Sequence, residues 1–222
     1  MDMTAGEKPR RQRRKQARPG EIIDAAMDVF AEKGFAATKL EEVARRAGVA
    51  KGTLYLYFET KDDLFRAVAR AAIASNLEAI ERAATAFDGS LADLVPLLLA
   101  RAASGMGDNR IPAIARMVIA EARSFPDLAR IWHDDVASKV LGLVTSIVAR
   151  AQARGEVAEG DPRLHAFSIL GPMLAALLFH QVFGGVGAPL PDLGALATQH
   201  ANTVLRGLLR TKDETKAEGG AP

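Results

Sequence analysis

The feature that most constrains the fold is a helix with room for only about two turns. Gly48 ends the preceding helical pattern, and the cap signature TKDD at residues 60–63 opens the next one. Between them, residues 50–57 have a helical pattern with Leu54 and Phe58 as its inward anchors. A helix this short is not stable alone. We therefore expect neighbouring helices to hold it in a helix-turn-helix arrangement.

The rest of the chain also predicts helices. Alanine and leucine dominate the composition and aromatic residues make up only 5%, which favours helices over strands. No segment shows convincing strand-type alternation. Apolar spacing and cap residues predict further helices near residues 20–33, 38–47, 60–86, 90–105, 111–124, 127–154, 162–183 and 192–210. The predicted fold class is all-α, with an N-terminal three-helix unit followed by a larger helical domain.

The charge is distributed unevenly along the chain. Residues 1–20 contain seven basic and two acidic residues, a net charge of +5, whereas the other 202 residues have a net charge of −3. A basic arm on a mildly acidic body indicates contact with a polyanion, and the alternative is a solvated tail. Expected boundaries are a disordered basic arm at 1–18, a helix-turn-helix domain at 19–65, a helical domain at 66–210 and a disordered tail at 211–222.

The predicted short helix carries residues that suit a DNA major groove, which is about 12 Å wide and accepts an α-helix. Lys51 and Tyr55 lie four residues apart, hence on one face. Thr53 and Tyr57 add hydroxyl groups, and Leu56 is an apolar group that fits a thymine methyl. The alternative for Tyr57 is packing between helices. Such a surface predicts an element that reads DNA.

The first turn of the next predicted helix places Lys61 beside free backbone N–H groups, which favour an anion such as a phosphate. The alternative for Lys61 is an ordinary solvated lysine. The exposed pair Arg45 and Arg46 is a weaker candidate, because helix surfaces normally carry such charges.

The stretch at residues 38–64 reads TKLEEVARRAGVAKGTLYLYFETKDDL. It resembles the helix-turn-helix pattern of the TetR family of transcriptional regulators, and the resemblance extends over about residues 20–65. Val43 replaces the usual Ile, and Ala50 replaces the usual Ser that would cap the short helix. The matching positions are Thr38, Ala44, Ala47, Gly48, Val49, Gly52, Thr53, Leu54, Tyr55, Tyr57, Phe58, Lys61 and Leu64.

The resemblance implies roles for individual residues. Contacts to DNA phosphates would come from Thr38, Tyr55, Tyr57 and Lys61. Contacts to base edges would come from Lys51, Gly52, Thr53 and Leu56. The resemblance also implies that the partners are double-stranded DNA with a palindromic sequence, a small-molecule effector and a second copy of the chain.

Two C-terminal helices are predicted to form the dimer, because both have apolar residues on more than one face. The alternative is that they lie within a monomer core. The apolar residues near 162–183 are Leu164, Phe167, Leu170, Leu174, Leu177, Leu178 and Val182. Those near 192–210 are Leu193, Leu196, Val204, Leu205, Leu208 and Leu209.

An effector cavity is predicted among the helices at 90–183, where methionines and aromatic residues could adapt to an apolar ligand. Two histidines are candidate polar contacts, with satisfied structural histidines as the alternative. Each of the other candidates is otherwise an ordinary core residue. The candidates are Met106, Met117, Phe125, Trp132, His133, Phe167, Met173, Phe179 and His180.

Several functional classes lack their sequence signatures. The chain has no cysteine, no His-x-x-x-His pair, no phosphate-binding glycine loop and no nucleophile elbow, so we expect neither an enzyme nor a metal or cofactor site. We find no uninterrupted apolar run of about 18 residues and no secretion signal, so we expect a cytoplasmic protein without a membrane segment.

The sequence, together with this resemblance, implies a repressor that releases a palindromic operator on binding a small, largely apolar effector. The alternative is a constitutive DNA-binding or scaffolding protein without an effector.

Overall fold

The computed structural model describes residues 10–86, 89–105 and 110–210. Its side chains are described over the same ranges, except at residues 10–18, 75–81, 83–86 and 110. This part of the chain is all-α, and its β-type pairing is limited to an isolated bridge between Val157 and Leu209. The helices are α1 (Arg10–Ala37), α2 (Leu40–Arg46), α3 (Lys51–Tyr55), α4 (Lys61–Ala86), α5 (Leu91–Gly105), α6 (Arg110–Glu121), α7 (Pro126–Trp132), α8 (Ser138–Ala153), α9 (Pro162–Phe183) and α10 (Leu193–Leu208).

Side-chain caps start several of these helices where the sequence predicts them. At the start of α4, the backbone N–H of Thr60 donates to the Asp63 carboxylate and that of Asp63 donates to the Thr60 hydroxyl, each over 3.1 Å. Ser90 and Asp93 form the same reciprocal pair before α5. Each bond satisfies an N–H that has no partner within the helix. These predicted helix starts are confirmed.

Thr38 and Glu41 have the spacing of a capping box, so the sequence predicts that they cap the helix near residues 38–47, and this prediction is wrong. The residue that precedes α2 is Lys39, and it makes no side-chain cap. The Thr38 hydroxyl instead donates to the Gly34 carbonyl over 2.6 Å, at the end of α1. The Glu41 carboxylate forms an ion pair with Lys51 of α3. Thr38 and Glu41 therefore each contact a different partner. The sequence pattern alone cannot distinguish these contacts from a capping box.

The first helix is longer than predicted. It begins at Arg10, so the expectation of a disordered arm at 1–18 is wrong for residues 10–18. The Arg, Lys, Gln and Ala residues of this stretch have high helix propensity. Within these bounds α1 is broken at Gly34, whose φ of +80° and ψ of 172° are non-helical, so the regular helix stops where the sequence has a glycine after Lys33. Residues 35–39, between this break and α2, are called the α1–α2 turn below. Residues 1–9 and the predicted tail at 211–222 lie outside the described residues.

The helix predicted at 127–154 is interrupted. Between α7 and α8 the backbone forms a π-helical turn at His133–Ala137. Such turns inside helices often accompany functional positions. This turn places Asp135 in the interior, where its side chain is almost fully buried.

The buried apolar residues form two clusters. The first contains residues of α1–α4 together with Met117, Leu128 and Val136, so helices late in the sequence complete the core of the N-terminal unit. The second contains residues of α5, α8, α9 and α10, among them Leu99 and Met173. The N-terminal unit of α1–α4, called the reading unit below, is therefore packed directly on α6 and α7. The first cluster includes residues on both sides of residue 65, so it does not follow the expected domain boundary there.

Helix α9 is apolar on its outer surface. With the 3₁₀ turn after it, Pro162–Val186 is long and apolar enough to cross a membrane by length and composition, which corrects the expectation that no such segment exists. Only 22% of its most apolar stretch is buried within the chain. One such helix is weak evidence for a membrane protein, since the core helix of a soluble protein passes the same test. What it establishes is a large exposed apolar face.

Candidate DNA interface and effector domain

Helix α3 is held against the N-terminal core by its apolar anchors. Leu54 is fully buried and Phe58 is nearly so, and both belong to the first cluster. The turn before α3 contains Gly48, whose φ is +66°, and the N–H of Val49 donates to the Ala44 carbonyl over 2.9 Å. This tight turn sets the angle between α2 and α3. The five-residue helix thus owes its position to the surrounding core, as the sequence predicts.

The outer side of α3 and the turn that follows it present unusually large side chains to solvent. Leu56 is 82% exposed, Tyr55 40% and Tyr57 37%. A Cβ built on Gly52 would meet no atom within 4 Å, so the backbone there is open to close approach. An exposed leucine beside two tyrosines on a short, braced helix forms a surface that matches the shape of a groove-reading element.

Lys51 is held by a neighbouring helix. Its Nζ lies 2.7 Å from Oε1 of Glu41 on α2 and 5.8 Å from the centroid of the Tyr55 ring. The hydrogen bond from Lys51 lowers the pKa of Glu41, and the same bond raises the pKa of Lys51. Lys51 therefore stays cationic at neutral pH and its ammonium has a preferred direction.

Thr38 and Lys61 lie inward rather than on this surface. Thr38 is 3% exposed. The Lys61 ammonium donates to the carbonyls of Phe35, Ala36 and Thr38 over 2.7, 3.4 and 3.2 Å, and lies 4.4 Å from the centre of the Phe35 ring. Burial lowers the pKa of Lys61. Since all three ammonium hydrogens are used, this conformation supports a bracing role for Lys61 rather than the expected phosphate contact.

The candidate effector residues do not gather in one place. Met117 belongs to the first core and Met173 to the second, whereas Phe125 and Trp132 pack partly buried against the first. His180 is half-buried, with Nε2 2.8 Å from the Pro191 carbonyl. These residues therefore belong to separate packing regions.

Three other effector candidates lie at the surface, and one is not described. His133 is exposed and pairs with Asp134 over 2.8 Å, so it is not an interior contact. Phe167 and Phe179 lie exposed on α9. Met106 lies outside the described residues. The expectation that His133, Phe167 and Phe179 line an interior cavity is wrong, because helix register turns them outward.

Two acidic residues that the sequence does not single out connect the N-terminal unit to later helices. Asp135 of the π-helical turn lies 2.7 Å from Nε of Arg70 and 3.8 Å from Arg66, both on α4. Glu121 accepts hydrogen bonds from the backbone N–H groups of Phe35 and Ala36, just after the break at Gly34 in α1. An acidic residue in the last turn of a helix opposes the helix dipole. This unfavourable position at the end of α6 is the one feature of the sequence that indicates a partner for Glu121 outside its own helix.

The fold and this surface define a helix-turn-helix DNA-binding protein with an appended helical domain. Residues 22–68 match the family model for bacterial regulatory proteins of the TetR family. Residues 88–183 match the model for the tetracyclin repressor-like C-terminal domain. Together these matches span more than half of the chain. The chain belongs to the TetR family of transcriptional regulators, a family of regulators rather than enzymes.

Curated relatives agree with this assignment. The fatty acid metabolism regulator protein of Bacillus subtilis is 28% identical over 160 residues, which cover 71% of this chain and 81% of the relative. The transcriptional regulator RutR of Escherichia coli is 43% identical over 61 residues, covering 28% of this chain and 29% of RutR. The second match is therefore local.

Solved structures show the same fold over nearly the whole chain. A TetR-family regulator from Mesorhizobium loti is 25% identical with a TM-score of 0.74, covering 91% of this chain and 100% of that one. FadR from Bacillus subtilis in complex with stearoyl-CoA is 25% identical with a TM-score of 0.73, covering 85% and 98%. SmeT in complex with triclosan has a TM-score of 0.71 at 23% identity, covering 89% and 94%.

Proposed function

We propose that this regulator is a homodimeric repressor that binds a palindromic operator and releases it when a small, largely apolar effector binds. The observation that carries the DNA-binding part is the braced, exposed segment from Lys51 to Tyr57. In this proposal Lys51, Gly52, Thr53 and Leu56 face base edges, and the hydroxyl groups of Tyr55 and Tyr57 contact phosphates. Thr38 and Lys61 support this surface from inside. A regulator of this kind acts in the cytoplasm, where the DNA is.

The proposed boundaries follow from the same argument. Residues 19–65 present the reading surface, and residues 66–210 contain the effector-binding and dimer-forming helices. The basic stretch before residue 19 is proposed as an additional DNA contact that is tolerant of sequence.

The apolar face of α9 is the proposed dimer surface. Its exposed members recur at helical spacing, so they lie along one side of the helix. The sequence also predicts that α10 takes part in the dimer. Its apolar residues lie in the second core, and Thr198, Asn202 and Thr203 face outward. The exposed apolar residues of α9 are Leu164, Phe167, Leu174, Phe179, Val182 and Phe183.

A second copy is the occupant that best fits this face. A large exposed apolar patch on a soluble chain marks an interaction site. The two-fold symmetry of a dimer places two reading segments at half-sites about one helical turn apart, or a multiple of that spacing. Palindromic DNA then matches the symmetry of the protein.

The effector proposal draws on relatives and on composition. FadR is seen with stearoyl-CoA, whose long acyl chain is apolar although its coenzyme A group is charged, and SmeT is seen with triclosan, a small and largely apolar molecule. Effector binding would act by moving α4, which runs from the reading surface into the second domain and is tied there by Asp135. A ligand shifts the DNA-binding state only through its different affinity for the two conformations.

The decisive experiment selects DNA from a random duplex pool with the purified chain, and then adds stearoyl-CoA or triclosan. We expect enrichment of an inverted repeat. When an effector binds, the protein should release that DNA, and the melting temperature of the protein should rise. Enrichment without release by any apolar compound would support the alternative, a constitutive DNA-binding or scaffolding protein. Failure to enrich any sequence would refute the DNA-binding proposal.

A further inference from the structure

The α1–α2 turn, which follows the break at Gly34, is held by a residue of the C-terminal domain. The backbone N–H of Phe35 donates to Oε1 of Glu121 over 2.9 Å, and that of Ala36 donates to Oε2 over 2.7 Å. Glu121 is the last residue of α6 and lies about 85 residues further along the chain. Hydrogen bonds to a charged acceptor are stronger than those between neutral groups. One carboxylate thus accepts from two consecutive backbone N–H groups just after the break in α1.

The backbone is shaped to admit this carboxylate. Gly34 has a φ of +80°, and a Cβ built there would overlap the Glu121 carboxylate. Any side chain at position 34 would therefore meet both an unfavourable backbone conformation and the acceptor of these bonds. The glycine that breaks α1 therefore allows the close approach of Glu121 as well as the change in backbone direction.

The carbonyl groups of the same turn are also held, by Lys61 of α4. The carbonyls of Phe35 and Ala36 accept from the Lys61 ammonium, so Glu121 holds their N–H groups and Lys61 their C=O groups. The Phe35 ring also packs against Phe125, with centroids 5.2 Å apart. The two residues that lead into α2 are thus fixed by contacts from α4, α6 and the segment after α6.

We propose that Glu121 is a positioning residue for DNA binding: it locks the α1–α2 turn so that α2 and α3 present the reading segment in one orientation. This proposal rests on the proposed DNA-binding function. A reading unit that is ordered before it meets DNA loses less conformational entropy on binding. Glu121 touches no DNA itself, so it adds no phosphate contact.

The test compares Glu121→Gln with Glu159→Gln, which removes an equal charge from an exposed position of the same domain. Both full-length variants are titrated by fluorescence anisotropy against a duplex that the parent chain selected from a random pool. We expect Glu121→Gln to bind about tenfold more weakly, consistent with the loss of one charge-assisted hydrogen bond. Glu159→Gln should match the parent chain. An unchanged or higher affinity for Glu121→Gln would overturn the proposal.

Two further readouts separate positioning from simple loss of folding. The slope of log Kd against log salt should stay the same in Glu121→Gln, because the number of phosphate contacts is unchanged. Hydrogen exchange at the peptide containing residues 35 and 36 should accelerate while α10 peptides keep their rates. Faster exchange throughout the chain, or a reduced salt slope, would count against a positioning role. If the parent chain selects no sequence at all, the proposed function fails rather than this inference alone.

A second variant provides an independent check. Gly34→Ala leaves the Glu121 side chain intact but places a methyl group against its carboxylate. We expect the same weaker binding and the same local acceleration of exchange as in Glu121→Gln. A folded Gly34→Ala variant with parent-like affinity would refute the requirement for this close approach.

Discussion

Leu56 and Leu54 are two residues apart in the proposed reading segment, yet they should respond oppositely to truncation. Leu54 is fully buried, whereas Leu56 is 82% exposed. Leu54→Ala should lower the free energy of unfolding by about 2–5 kcal/mol, the usual range for a buried leucine. Leu56→Ala should change it by no more than about 0.5 kcal/mol, since it removes little packed surface.

The order reverses for DNA binding if Leu56 contacts a base. Burying a leucine side chain contributes about 1.5–3 kcal/mol, and most of the Leu56 side chain is still available to be buried. Leu56→Ala should therefore lose about 1–2 kcal/mol of binding free energy, or about five- to thirtyfold in Kd. Fluorescence anisotropy on the selected duplex measures the affinity, and thermal melting measures the stability.

A chemical control tests the proposed thymine contact directly. Replacing thymines by deoxyuridine one at a time removes single methyl groups from the duplex. One replacement should weaken the parent chain and leave Leu56→Ala unaffected, because the variant no longer has the contacting group. If Leu56→Ala binds every duplex as tightly as the parent chain, the exposed leucine is not part of the interface and the argument from exposure is refuted.

Three other predictions follow from named contacts. Lys51→Gln should change the base preference at one operator position. Glu41→Gln should weaken the same preference, because it removes the partner that orients the Lys51 ammonium. Selection experiments on both variants check this, and base preferences like those of the parent chain would contradict it. Phe167→Glu should shift sedimentation from dimer to monomer, whereas Ala149→Glu, exposed on α8, should not; a dimeric Phe167→Glu would exclude this part of α9 from the interface. The pKa of Glu156 is lowered by its hydrogen bond from Arg154, so its contribution to stability is present above the unfolded-state pKa of about 4.3 and lost as pH falls through the lower folded-state value. Glu156→Gln should therefore lower the melting temperature at pH 7 more than at pH 3, and equal losses at both pH values would contradict the assignment.

Much of the fold was predictable because local chemistry determines it. The pairs Thr60–Asp63 and Ser90–Asp93 lie three residues apart in sequence, and each forms the reciprocal cap that this spacing predicts. Gly34 breaks α1 because its backbone adopts a conformation that other residues disfavour. The short α3 follows from the small distance between its two flanking signals.

Other parts of the site depend on residues far apart in the chain. Thr38 and Glu41 have the spacing of a capping box, yet their partners are Gly34 and Lys51. His133 fits the pattern of an interior ligand contact, but its register in the π-helical turn leaves it exposed. No local pattern specifies which of several chemically possible partners a side chain reaches.

The sequence by itself determined the helical fold class, most helix ends and the exposed character of the reading segment, because these depend on neighbours within about four residues. Only the tertiary structure decided that α6 and α7 complete the core beneath that segment. It also decided that Glu121 holds the turn at residues 35 and 36 and that Lys61 points inward. Contacts between distant residues arise when whole helices pack, and packing depends on the shape of both faces at once.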